Sequence, residues 1–166
     1  VSDKLCGDLD YGLLEPALGE PAKPTAMRIS NESKTSGWTE TDNYLYDSGV
    51  QCWRQYGTDE VPHAVLFVIA AAYRSAAGAG IPYAGRKDAD VLTDAALPIG
   101  AETVSRGSSG SIHVVYVKDS NLFAEIRIMM VDGDETVETP IPPAIPSAME
   151  TFANHVLGQL RKGFTV

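Results

Sequence analysis

The chain has 166 residues, 44% hydrophobic and 21% charged, which suits one globular domain with a sizeable core. Thirteen Lys and Arg stand against 22 Asp and Glu, so the formal net charge is −9. An acidic surface of this kind repels phosphate backbones and anionic lipid headgroups, which sets aside nucleic acid as a partner and adsorption to a membrane surface.

In chain order, Asp8 to Leu18 places Leu9, Leu13, Leu14 and Leu18 on one helical face, with Gly19 and Pro21 as the stop. Pro16 falls inside this stretch and removes an amide donor, so two turns are predicted rather than one regular helix. A short strand is expected over Ala26 to Ser30. Asn31-Glu32-Ser33 matches a glycosylation sequon, which matters only in a eukaryotic secretory pathway. Trp38 to Tyr46 is rich in strand formers, Asp47-Ser48-Gly49 reads as a turn, and Val50 to Tyr56 as the return strand of a hairpin.

Ala64 to Tyr73 is apolar on both faces. It reads first as a strand buried on both sides, with an Ala-rich helix running to Ala79 as the other reading. It is too short to span a bilayer. Gly78 to Gly85 reads as a loop, followed by a helix that Asp88 caps and that runs to Ala96. A strand over Glu102 to Arg106 precedes a hairpin of Ser111 to Lys118 and Asn121 to Val131, turning at Asp119-Ser120. In its second strand Leu122, Ala124, Ile126, Ile128 and Met130 alternate with Glu125 and Arg127, the pattern of a half-buried antiparallel strand. Asp132 to Glu138 is an acidic turn, and Pro140 to Pro146 a stiff connector. Ser147-Ala148-Met149-Glu150 is a capping box. Met149, Phe152, Ala153, Val156, Leu157 and Leu160 behind it form the apolar stripe of an amphipathic helix, closed by Lys162-Gly163. The expected architecture is a single α+β domain over residues 1–166. A curved antiparallel β-sheet of five to seven strands is flanked by an N-terminal short helix and a C-terminal amphipathic helix.

Cys6 and Cys52 are the two cysteines of the chain. One intramolecular pairing is open to them, and a bridge between them would contribute on the order of 4 kcal/mol by closing a long loop. The alternative is two buried thiols in a cytosolic protein. A disulfide implies an oxidising compartment, and a chain that begins at Val1 rather than Met fits a mature form whose export signal has been removed, or a cytosolic fragment.

Catalytic patterns are weak throughout. Gly107-Ser108-Ser109-Gly110 lacks the nucleophile-elbow spacing and reads as a turn between strands. Gly78-Ala79-Gly80 supplies two glycines of a dinucleotide fingerprint, but Tyr83 stands at the third position. His63, His113 and His155 have no partner at metal-ligand spacing, so each is expected to be a surface or hydrogen-bonded residue. Asp132, Asp134, Glu135 and Glu138 do not follow a calcium-loop spacing. No metal or cofactor is expected. Trp38, Tyr44, Tyr46, Trp53 and Tyr56 crowd one predicted hairpin, either as a binding surface or as a cover for the sheet.

Several short motifs run together along the chain. Cys6-Gly7 precedes the Leu-rich segment ending Leu18-Gly19, and Cys52-Trp53 lies on a strand. Leu97-Pro98-Ile99-Gly100-Ala101-Glu102 and the hairpin at Asp119-Ser120-Asn121-Leu122 come later, before the C-terminal helix. This series resembles the DUF3558-type actinobacterial envelope lipoproteins. Ile99-Gly100-Ala101-Glu102 departs from the family's Gly-Asp step. The resemblance implies a fold like the Mog1/PsbP group and no enzyme activity. It implies a place in the cell envelope, on the outer face of the cytoplasmic membrane, with membrane attachment only through an N-terminal lipid anchor that is absent from this chain. The expected function is an exported, non-enzymatic binding module for a protein partner or small ligand. An enzyme whose site is assembled from scattered histidines and carboxylates, and a structural accessory subunit of an envelope complex, are the alternatives.

Overall fold

The structure, a computed structural model, describes residues 4–19, 28–30, 46–57, 62–73, 75–89, 93–94, 101, 103–131 and 139–163. The helices are α1 (Leu5–Asp8), α2 (Glu15–Leu18), α3 (Ala76–Ala89) and α4 (Ile145–Gly163), with a 3-10 turn, Tyr11–Leu14, ahead of α2. The strands are β1 (Arg28–Ser30), β2 (Tyr46–Gly57), β3 (Pro62–Tyr73), β4 (Thr93–Asp94), β5 (Thr103–Ser109), β6 (Ile112–Asp119) and β7 (Leu122–Met130). They form one open antiparallel sheet in the order β1-β2-β3-β7-β6-β5-β4. Five long strands make its body, and a very short strand lies at each edge. The class is α+β, as the sequence predicts.

The sheet has two covered faces. One carries Val50, Cys52 and Tyr56 of β2, Leu66 and Val68 of β3, Ile126 and Ile128 of β7, and Val115 and Val117 of β6. Against it lie the buried stripe of α4 and Leu9, Leu14 and Leu18 of the N-terminal segment. The opposite face carries Ala71, Tyr73, Phe123, Val114 and Tyr116, and α3 covers it with Ala79 and Tyr83. The hydrophobic stripe of α4 therefore sits where its 3.6-residue period predicts.

Several expectations are corrected. Asp47-Ser48-Gly49 is no turn: β2 runs straight through it, pairing Ser48 with Ala72 and Gly49 with Ala71, and a register shift between Tyr46 and Ser48 absorbs Asp47. Ala70 to Ala72 stay in β3, because β2 and β7 pair with them on both sides and override their helical preference. The predicted Gly78–Gly85 loop is part of α3. The Ser75 hydroxyl accepts from the Gly78 amide at 3.0 Å, capping the first turn. A side chain at Gly78 would meet the Tyr73 Cβ at 3.4 Å, so its absence lets the helix lie close on the strand. Asp88 and Ala89 end α3 rather than start a helix, and Thr93–Asp94 pair with β5.

Pro16 does not interrupt a helix interior. It occupies the first turn of α2, where the missing amide has no partner to lose. The capping box at Ser147 is not used as a cap. The helix α4 starts at Ile145, with the Ile145 amide on the Pro142 carbonyl, and Glu150 instead pairs with Arg106 of β5. The Gly107–Ser109 stretch belongs to β5, and the turn falls at Gly110 and Ser111 with Gly110 at φ 56°. The β6–β7 hairpin lies within a residue or two of its predicted bounds. Ser120 takes the left-handed conformation at φ 53°, and Asn121 exchanges hydrogen bonds with the Tyr73 backbone, its side-chain amide donating to the Tyr73 carbonyl at 2.8 Å and its own carbonyl accepting from the Tyr73 amide at 2.8 Å. The sequon at Asn31, the predicted strand from Trp38 as far as Leu45 and the acidic turn Asp132 to Glu138 lie outside the described residues.

Cys6 and Cys52 form a disulfide between α1 and β2, 46 residues apart in sequence, with both sulfurs' residues fully buried. Reduction is expected to lower stability by about 2–4 kcal/mol, read as a shift in urea midpoint with and without reductant. Phe152→Ala, which empties the centre of the α4 interface, is expected to destabilise by about 3–5 kcal/mol in the same assay.

Candidate functional site

The aromatic residues expected to form one surface divide between the two faces of β2. Tyr56 is fully buried, and its hydroxyl donates to the Tyr11 carbonyl at 3.3 Å. It belongs to the core rather than to a binding surface. Trp53, three residues earlier, points to the opposite face and is half-buried beside its register partner Phe67. Trp38 and Tyr44 lie outside the described residues, and Tyr46 begins β2.

Around Tyr56 the N-terminal segment is tied to the sheet. The Tyr11 hydroxyl donates to the Cys6 carbonyl at 2.9 Å. The Tyr11 ring lies 5.9 Å from that of Phe152, and the Arg54 guanidinium sits over it at 4.7 Å from the ring centroid. Burial pushes the Tyr11 hydroxyl up to about 12, with Arg54 opposing the rise, and raises Tyr56 for the same reason. Both phenols therefore act as neutral hydrogen-bond donors, not as acids.

On the Trp53 face a row runs across the sheet from Trp53 through Phe67 and Arg127 to Val114. Arg127 Nη2 lies 3.1 Å from Glu125 Oε1 and donates to the Tyr116 hydroxyl at 3.2 Å. Glu125 is only 3% exposed, which makes this a charge pair held inside the fold. The alternation of Glu125 and Arg127 reads from sequence as a solvated face. In the structure Glu125 is buried, beside Tyr116, which packs in the cluster that includes Ala79 and Tyr83 of α3.

The three histidines hold structural contacts. His63 Nε2 lies 2.6 Å from the Leu18 carbonyl, so that nitrogen carries the proton and donates, joining the start of β3 to the end of α2. His155 Nε2 accepts from the Asp10 amide at 3.0 Å, joining α4 to the N-terminal segment. His113 is 2% exposed, and its Nδ1 lies 2.7 Å from Ser108 Oγ, its register partner on β5. A serine beside an imidazole is two-thirds of a hydrolytic triad. Burial, aided by the nearby Arg106 charge, pulls His113 down to about 4, and its Nε2 has no hydrogen-bond partner among the described residues. A base that weak takes up little of a serine proton near neutrality, and nothing described orients the ring from its far side. The pair is a cross-strand hydrogen bond.

Among the described residues no group of three or more His, Cys, Asp and Glu could hold a metal ion, and no helix is long and apolar enough to cross a membrane. Comparison with family models, curated proteins and solved structures finds no match to this chain.

His113 fixes an acid response. Its ordinary pKa is 6.5, and in the fold it is about 4. Above 6.5 the ring is neutral in both states and the fold carries no penalty. As pH falls through that value the unfolded chain takes up a proton that the folded chain refuses. Stability is therefore lost progressively between pH 6.5 and about 4, by on the order of 3 kcal/mol in total. His113→Leu is expected to flatten the urea midpoint over that window relative to the parent chain.

Proposed function

We propose that the chain is an exported, non-enzymatic binding module of the cell envelope, of the DUF3558-type lipoprotein kind. In this reading it works on the outer face of the cytoplasmic membrane and engages a protein partner or small ligand. The observation that carries it is the Cys6–Cys52 disulfide, because cytosolic thiols are kept reduced while exported domains keep such bridges. The histidines support the non-enzymatic part: each imidazole is engaged within the fold, and the one beside a serine is too weak a base for acyl transfer. Trp53 and Phe67, half-buried side by side, supply aromatic contact area of the kind that binding surfaces use.

Differential alkylation in source cells tests the compartment. Both cysteines are expected to resist alkylation until reductant is added, in protein recovered with the envelope fraction. Freely alkylated thiols in the cytosolic fraction would sink the reading. A photo-crosslinking residue at position 53 tests the binding role. It is expected to trap a discrete partner in envelope preparations, whereas the same group at the exposed Ser109 traps none. Equal yields at the two positions would remove the binding role.

A further inference from the structure

We infer that His155 exchanges one backbone partner for another when it takes up a proton, making the middle of the N-terminal segment pH-sensitive while its two ends stay fixed. Its Nε2 lies between two backbone groups of opposite character. The Asp10 amide is 3.0 Å away and can only donate; the Asp8 carbonyl is 3.2 Å away and can only accept. One nitrogen cannot serve both at once. The neutral ring with its proton on Nδ1 accepts from Asp10. The imidazolium carries a proton on Nε2, repels the Asp10 amide and donates to Asp8.

The surroundings suit both states. Gln159, one turn on, places its side-chain amide 3.5 Å from Nε2, and that amide can offer either its nitrogen or its oxygen. The segment's backbone faces the ring at Asp8 and Asp10, and its charged residues are Lys4, Asp8, Asp10 and Glu15. Asp10 Oδ1 already accepts from the Gly12 amide at 3.1 Å. On α4 the neighbours one turn either way, Thr151 and Gln159, do not ionise, and no ion pair joins His155 to a described residue. The Asp8 carbonyl therefore stands as a waiting acceptor for the imidazolium.

The segment does not come loose when the bond moves. The disulfide at Cys6 holds one end, and the His63 bond to the Leu18 carbonyl holds the other. What changes is the tie of Asp10, the residue that caps the 3-10 turn.

Ring and backbone nitrogen NMR across a pH titration tests this on the intact chain. Above the titration the ring is expected in the Nδ1-protonated form, and the Asp10 amide shift is expected to move in step with the ring on acidification. In His155→Ala, Asp10 amide exchange is expected to quicken about fivefold above the titration, the worth of one hydrogen bond, and to be unchanged below it. His155→Gln carries a donor and an acceptor that do not titrate, so the pH dependence of the Asp10 amide is expected to vanish with the fold intact. An Nε2-protonated ring at high pH, an Asp10 amide that ignores the ring, or pH dependence surviving in His155→Gln would each overturn the inference.

Discussion

The segment from Lys4 to Gly19 cannot hold its own shape. It consists of two four-residue helices and a 3-10 turn, far below the length at which a helix is stable alone in water. Yet it supplies Leu5, Leu9, Leu14 and Leu18 to the core on the α4 face of the sheet. Its order is imposed from outside. The disulfide fixes Cys6 to β2, His155 meets Asp10 from α4, and His63 reaches the Leu18 carbonyl from β3. Three anchors from three elements, spread along the segment, do what helix propensity does not. The bridge does most, since it alone acts on the unfolded chain by shortening the loop to be closed.

The other face of the sheet depends on small residues. Gly49, Ala71 and Phe123 share a row, so one large ring stands beside two positions with little or no side chain. That step in height is where Ala79 and Tyr83 of α3 settle. On this face Glu125, the register partner of Tyr116, is buried, with Arg127 as a counter-charge and Tyr116 as a further acceptor for the guanidinium. Such pairs contribute little net stability, because removing two charges from water offsets most of their attraction.

Period-two and period-3.6 patterns made the β6–β7 hairpin, the class of fold and the buried stripe of α4 legible. What sequence hides is the competition between local preference and tertiary contact. Gly78, Gly80, Pro82 and Gly85 are poor helix residues, yet α3 carries all four, and at Gly78 the helix lies close on Tyr73. Ser147 and Glu150 spell a cap, but Arg106 takes the glutamate. Of the site residues, the Cys6–Cys52 pairing follows from there being two cysteines. The division of Trp53 from Tyr56 was open to the same arithmetic, since an odd separation in a strand puts two residues on opposite faces. The Glu125–Arg127–Tyr116 cluster was not, because the alternation along β7 reads as one solvated face, whereas Glu125 is buried.

Two of the histidines sit in contrasting surroundings. His113 is enclosed, with Ser108 as its polar partner and Arg106 close enough to oppose a second positive charge. Nothing there welcomes the proton, so acid acts on the equilibrium between folded and unfolded chains. His155 lies against the N-terminal segment, between a backbone donor and a backbone acceptor. There the inferred exchange changes one contact inside the folded state. Placing the second kind of histidine against the segment that needs outside anchoring gives a local adjustment, whereas the first kind, buried in β6, bears on the stability of the whole domain. With the bridge holding Cys6 in either state, local change at Asp10 does not propagate into loss of the leucines beneath it.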